Sequence, residues 1–214
     1  MGKVKIKKSD TWIDMTPMSD VMTLLLTFFM LTSTFVKNEP VKVNTPGSIV
    51  EKDIPEKGTL TILVSPEKDA KGVATGDGQV FMSMDNAEQL GQVLDQMADA
   101  NGVSINPAQR QTFTIESTFG VPIRKLPSYL QEIDPTKRQK LLRNYGIPLD
   151  SIDGGKSEFQ QWVDVARGVN QDIKIVLKAD AATPYKTVKK VMNELQDMDE
   201  SHYYLVTTLK KQEE

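Results

Sequence analysis

One carboxylate, Asp20, stands inside a run of apolar and weakly polar residues from Met15 to Val36, "MTPMSDVMTLLLTFFMLTSTFV". An ionised Asp costs roughly 2.5–3.5 kcal/mol at a bilayer centre and less near an interface, so such a residue usually serves a purpose. On a helix, Thr16, Asp20, Thr23, Thr27, Met30 and Thr34 follow at steps of 4, 3, 4, 3 and 4, which sets them on one narrow stripe. Leu24, Leu25, Phe28, Phe29, Leu31 and Phe35 fill the other faces, and Thr32 and Ser33 lie off the stripe near the outer end. Carboxyls at membrane depth face a protein interior or an aqueous path. The chain has one such run, so cover for Asp20 has to come from other chains. Burial favours the neutral form of a carboxyl, which suits a covered one to load and release a proton. The alternative is an Asp that snorkels to the cytoplasmic headgroups, or that sits favourably in the first turn of a helix started by Pro17.

The elements that must position this stripe come next. The run from Met15 to Val36 is 22 residues, roughly 33 Å as a helix, against a hydrocarbon core of about 30 Å. No A-x-A-like cleavage site follows it, so an uncleaved span is expected rather than a signal peptide. A helix buried in a soluble core is the competing reading. Lys3, Lys5, Lys7 and Lys8 precede the run, whereas Lys37, Glu39 and Lys42 behind it are mixed in sign. The positive-inside rule then puts the N-terminus in the cytoplasm and the remaining residues across the membrane, with Trp12 at the interface. In a bacterium that is the inner membrane, and the far side is the periplasm.

The chain has 214 residues, a formal net charge of −3, 39% hydrophobic and 26% charged residues, which fits one moderate domain plus an appendage. There is no basic excess to suggest nucleic acid, and no cysteine for disulfides, thiol catalysis or thiolate zinc sites. Residues 37–58 carry Pro40, Pro46 and Pro55 and read as an extended linker. "GTLTILVS" (Gly58–Ser65) and Gln79–Met84 read as strands, with Gly76-Asp77-Gly78 as the hairpin turn. Asp85–Gly102 reads as an amphipathic helix with Asp85 at its start and Leu90, Val93, Leu94 and Met97 on one face. Asp172–Asp180 and His202–Lys211 read as strands around a helix, Thr183–Asp199, capped by Thr183 with Pro184 first. Between the halves, Gln111–Thr118 reads as a strand, and Pro135–Tyr145 and Lys156–Val169 read as helices, the latter with Phe159, Trp162, Val163 and Ala166 on one side. The expected fold class is α+β: an N-terminal transmembrane helix, then helices on one face of a small sheet with an inserted α/β subdomain. The expected divisions are a tail at 1–13, the membrane helix at 14–36, the linker at 37–58 and a folded domain at 59–214 with its insertion at about 103–171.

An anchored enzyme fits poorly. The one histidine, His202, opens a strand, and neither G-x-S-x-G nor H-E-x-x-H occurs. Gly76-Asp77-Gly78 lacks the further acidic positions of a calcium loop. Met82 and Met84 read as core or strand surface, and the lysines of "KTVKK" as a solvated helix face. No catalytic residue, metal or cofactor is expected.

"IDMTPMSDVMTLLLTFFML" (Ile13–Leu31) resembles the membrane segment of the ExbD/TolR family, through Ile13, Thr16, Pro17, Asp20, Val21, Leu25, Phe29 and Met30, with Asp14 where Asn is common. "VKVNTPGS" (Val41–Ser48) resembles the family's V-x-V-N-L-P linker, with Thr45 where Leu is usual. "YKTVKKVMNELQD" (Tyr185–Asp197) resembles its strand-flanked helix. The compact family members lack Val103 to Gln171. The resemblance implies a single-pass inner-membrane subunit of a motor driven by proton motive force. Asp20 would be its proton-carrying carboxylate, and Thr16, Thr23, Thr27 and Thr34 the stripe facing pore or partner. Val43, Asn44 and Pro46 would be the linker's recognition residues. The implied partners are an ExbB-like multi-span ring protein, a second copy forming a homodimer, and a TonB-like periplasmic protein that powers outer-membrane transport. A TolR-like envelope-integrity or cell-wall-binding scaffold is the alternative.

Overall fold

Alternating apolar side chains build the central strand, β2 (Thr59–Lys68), where Leu60, Ile62 and Val64 point to one face and Thr61, Leu63 and Ser65 to the other. The structure is a computed structural model that describes residues 15–32, 41, 43–48, 58–68, 74–151, 155–206 and 208–209. In it β2 pairs antiparallel with β3 (Ala74–Met84) and parallel with β5 (Lys174–Ala179). The short β4 (Thr118–Phe119) borders β3, and β6 (Tyr203–Val206) borders β5, giving a five-stranded mixed sheet in the order β4-β3-β2-β5-β6. A second, two-stranded sheet joins β1 (Gly47–Ser48) in parallel to β7 (Thr208–Leu209).

The chain divides into two compact units, Met1–Asn38 and Glu39–Glu214. The first contains helix α1 (Thr16–Thr32), 17 residues or about 26 Å long. Among the described residues no helix is long and apolar enough to cross a membrane. The last four residues of the expected span, 33–36, and the lysine-rich tail with Trp12 lie outside the described residues.

In the second unit the helices gather on the Leu60–Ile62–Val64 face. A Cβ at Gly78 would meet Cγ2 of Thr183 at 2.9 Å and Cγ2 of Thr187 at 3.2 Å. That sets the start of α7 (Tyr185–Asp197) over the same face of β3 as Val80, Met82 and Met84. Phe119, register-matched to Met82, meets Trp162 of α6 (Glu158–Val169) at 4.6 Å between ring centroids. Leu90, Val93, Leu94 and Met97 of α2 (Ala87–Asn101) close the core beside them. The stretch 103–171 adds α3 (Pro107–Glu116), β4, a 3-10 turn (Ile123–Lys125), α4 (Leu126–Leu130), α5 (Pro135–Leu142) and α6. It shares the same core, through Phe113, Leu126, Leu142, Ile147 and Trp162.

Several local expectations are corrected. Gln111–Thr118 is not a strand; most of it lies in α3. Pro107 sits at the first helical position, and the Asn106 amide donates to Gln109 Oε1 at 2.9 Å. Only Gln109 and Phe113 are buried there, a helical spacing that overrides the β-branched run around them. Asp85 does not cap α2. Its carboxylate accepts the Gly58 and Thr59 amides at 2.7 and 3.0 Å, and Asn86 caps the helix instead. Gly76-Asp77-Gly78 lies within β3 rather than in a turn, since Pro66 pairs with Gly78 and Lys68 with Ala74. Gly78 answers to the close approach of α7. Helix α7 begins one residue beyond Pro184, and Thr183 instead donates its hydroxyl to the Val64 carbonyl at 3.3 Å. The final strand divides into β6 and β7, which belong to different sheets.

Polar ties hold α3, α4 and α5 together. Arg138 Nε donates to Glu116 Oε1 at 2.6 Å, and the Tyr129 hydroxyl donates to Glu116 Oε2 at 3.0 Å. Burial pushes the Tyr129 phenol well above its ordinary range, and the Glu116 charge adds to that. At the start of α6, burial raises the Glu158 carboxyl. Bonds from the Ile123 amide at 2.8 Å and the Trp162 ring nitrogen at 3.3 Å oppose the shift.

Phe81 packs flat against Gly120, where a Cβ would come within 2.1 Å of its ring. Gly120→Ala should therefore destabilise the folded unit by about 1–3 kcal/mol. In urea unfolding the midpoint should fall with an unchanged m-value. An unshifted midpoint would mean that Phe81 can move aside freely.

Candidate functional site

Helix α1 buries nothing. Met18, Met22, Leu24, Leu26, Phe28 and Phe29 are all exposed, and Leu31 is 87% exposed. Asp20 is exposed as well, on the same stripe as Thr16, Thr23 and Thr27, while Thr34 lies outside the described residues. The stripe's order is local: helical geometry alone brings these four residues together.

The threonines carry a second property. Thr23 Oγ1 donates to the Ser19 carbonyl at 2.8 Å, and Thr27 Oγ1 donates to the Thr23 and Leu24 carbonyls at 3.0 Å each. Ser19 does the same to Met15, and Thr32 to Phe28. Each hydroxyl thereby spends its proton on its own helix. That removes the cost of an unpaired donor in an apolar setting and leaves the oxygen only acceptor capacity. Thr23 lies about one helical turn and Thr27 about two turns from Asp20 on the same stripe, and toward a neighbour each can act only as an acceptor. A protonated carboxyl or a water can donate to such acceptors, whereas an ionised carboxylate cannot use them.

The linker residues Val43, Asn44 and Pro46 belong to the second unit. Val43 is half-buried against the core, whereas the Asn44 and Pro46 side chains are exposed. The contacts that seat this segment are others. Val41 is 6% exposed and lines, with Thr61, Leu63, Ser83, Thr118 and Lys178, a cavity of about 60 Å³ on the sheet face opposite the helices. The backbone of Asn44 bonds to Asp180 and Ala181. Sequence reasoning missed Asp180; its signal was the Asp-Ala-Ala-Thr-Pro run, the pattern of an Asx turn.

A larger groove of about 270 Å³ lies between Gly78, Gln79, Ile147, Lys186 and Lys190, and Lys190 is paired with Asp150 at its rim. His202 is exposed and lies just before β6. Among the described residues no three histidine or acidic side chains group to hold a metal.

An exposed apolar helix with one carboxylate, joined by a linker to an α+β unit on which that linker lies, describes a two-part protein whose helix needs cover from outside. The chain belongs to the ExbD/TolR family of biopolymer transport proteins, whose model matches residues 7–210, nearly its whole length. No curated protein and no solved structure matches it. The family comprises non-enzymatic transport and energy-transduction subunits that act in membrane-associated complexes, and the match spans both its ExbD and its TolR branch.

The inward hydrogen bond of Thr27 lies on the Asp20 stripe, and that of Thr32 lies off it. Thr27→Val should lower the output of the assembled complex severalfold, and Thr32→Val should leave it near wild type. The measurement is output per unit of complex. Equal effects of the two substitutions would remove the stripe as a functional unit.

Proposed function

We propose that this chain is the proton-carrying subunit of an inner-membrane motor driven by proton motive force, with Asp20 as the group that loads and releases the proton. In this reading residues 14–36 span the membrane, residues 1–13 are cytoplasmic, and the linker 37–58 and the unit beyond it are periplasmic. An ExbB-like ring protein encloses two copies of α1, with Thr16, Thr23, Thr27 and Thr34 toward pore or partner. The folded units of the two copies pass the motion to a TonB-like protein that serves outer-membrane transport.

One observation carries the proposal: a carboxylate sits on an apolar helix that buries none of its own described residues. A lone helix can lower the cost of Asp20 at membrane depth only by bringing it to a partner or to water. Family membership supports the motor-type setting. The Thr23 and Thr27 hydroxyls give their protons to their own helix and keep acceptor capacity, which suits a site whose carboxyl is neutral for part of its cycle.

Asp20→Asn keeps size and hydrogen bonding and removes the titratable charge. Complex abundance should stay near wild type, because a neutral amide is cheaper to enclose than a carboxylate. Output should fall to background. A membrane potential supplies about 2.3 kcal/mol per charge per 100 mV, and a group that cannot change charge cannot couple to it. Asp20→Glu displaces the carboxyl by one methylene and should retain partial activity or none. Wild-type output from the Asn variant, at equal complex abundance, would sink the motor reading.

Topology offers a separate check. A reporter active only in the periplasm should give signal when fused after Lys57. Silence there, with signal from an N-terminal fusion, would reverse the orientation.

A further inference from the structure

Two isoleucines of the folded unit point away from its core. Among its described large apolar residues, Ile133 at 90% and Ile115 at 75% are the most exposed. Their segments meet at one guanidinium. Arg138 Nε donates to Glu116 Oε1 at 2.6 Å, and Arg138 Nη1 donates to the Ile133 carbonyl at 3.3 Å. Ile115 precedes that glutamate at the end of α3, and Ile133 stands in the loop from α4 to α5. The exposure of Ile133 has a local cause. Asp134 caps α5, so Ile133 holds the position that often packs on the fourth residue of the helix. Here that fourth residue is Arg138, buried and bonded to Glu116, and it offers Ile133 no apolar partner.

Cations border this pair. Between Ile123 and Tyr145 six basic residues stand against two acidic ones, in a chain whose net charge is −3. Both acids accept backbone amides: Asp134 Oδ1 that of Thr136 at 2.9 Å, and Glu132 Oε1 that of Asp134 at 3.4 Å. Arg138 and Leu142 form the buried side of α5, so Lys137, Lys140 and Arg143 lie on its outward arc. None of the three takes part in an ion pair found among the described residues. Lys125, 5.2 Å from the centre of the Tyr145 ring, adds a further exposed cation just past the end of α5.

We propose that this face of the 103–171 stretch docks on an anionic lipid surface, with Ile133 and Ile115 entering the headgroup region and Lys137, Lys140 and Arg143 against the lipid phosphates. It rests on the reading of residues 14–36 as a membrane span, which keeps a bilayer within reach. Single apolar residues scattered on a surface are ordinary. Two on adjoining segments, bordered by unpaired cations, match the two terms of interfacial binding: buried apolar area and attraction to anionic lipid. Two isoleucines are too little for the core of a protein interface but suit an interfacial anchor. Lysine and arginine stems also lie along apolar surface while their charges stay at headgroup level. Each term is small, and a tether to the same bilayer raises the effective concentration enough to populate a weak contact.

The test uses the full chain in lipid nanodiscs. Because the chain has no cysteine, Thr136→Cys can carry an environment-sensitive fluorophore at an exposed position between Ile133 and Lys137. Gln171→Cys, exposed just past α6, carries the control. In discs of phosphatidylcholine with about one third phosphatidylglycerol, the Thr136 probe should shift to the blue and be quenched by brominated lipid. In phosphatidylcholine alone, or at high salt, it should report water as the control does throughout. Lys140→Gln and Arg143→Gln should each lower the docked-to-free ratio about fivefold, and Ile133→Ser should lower it as well. All three side chains are exposed, so the fold should stand. A Thr136 probe indifferent to phosphatidylglycerol would leave the face to an acidic protein partner and overturn the proposal. Equal quenching at both probe positions, or undiminished quenching in the Lys140→Gln, Arg143→Gln double variant, would overturn it too. A chain that does not enter the discs would overturn the span reading and the docking with it, whereas a chain that enters with its probe unmoved overturns the docking alone.

Discussion

A lone apolar helix cannot cover its own carboxylate. α1 exposes every described side chain it has, and Ser19, Thr23, Thr27 and Thr32 turn their protons inward to carbonyls of the same helix. Those inward bonds make the helix tolerable in an apolar setting and leave these hydroxyls no proton to donate to Asp20. The remaining polar demand is directed outward, toward partners or water. On that asymmetry of the 17-residue helix rests the proposal that Asp20 works inside a complex.

The folded unit answers a different constraint. β2 is flanked by long neighbours on both edges, so its even positions, Leu60, Ile62 and Val64, gather Met82 and Met84 from β3 and Ile175 and Leu177 from β5. Helices α6 and α7 cover that face. On the opposite face the linker supplies cover at Val41, above Leu63. A segment that reads as a spacer is therefore part of the packing. It is held by the buried Val41, by Val43 against the core, and by the backbone groups of Asn44 bonded to Asp180 and Ala181.

The stretch 103–171 enlarges this unit without adding a second core. Phe113, Phe119 and Trp162 stack into one aromatic group beneath β3. The Glu116–Arg138–Tyr129 contacts are part-buried, with the Arg138 side chain 11% and the Glu116 side chain 20% exposed. Removing one partner from such a set leaves a charge without compensation, which fixes the arrangement of α3, α4 and α5.

What was legible in the sequence was what depends on neighbours along the chain. The spacing of Thr16, Asp20, Thr23 and Thr27 sets a stripe on any helix, and the apolar faces of α2, α6 and α7 follow from the 3.6-residue period. The strands β2 and β5 and the start of the final strand were visible as short apolar runs. Tertiary structure decided the rest, because those outcomes depend on groups far apart in sequence. Asp85 reads as a helix cap, but the amides of Gly58 and Thr59, across the start of β2, claim its carboxylate. Gly78 reads as a turn glycine, but Thr183 and Thr187 press on it. Gln111–Thr118 reads as a strand, but most of it forms a capped helix in which only Gln109 and Phe113 are buried. Asn44 and Asp180 are 136 positions apart, and no local pattern shows that an exposed linker residue and a buried carboxylate meet. Local periodicity encodes which residues can share a face; only the packed chain decides which distant backbone groups a buried side chain must satisfy.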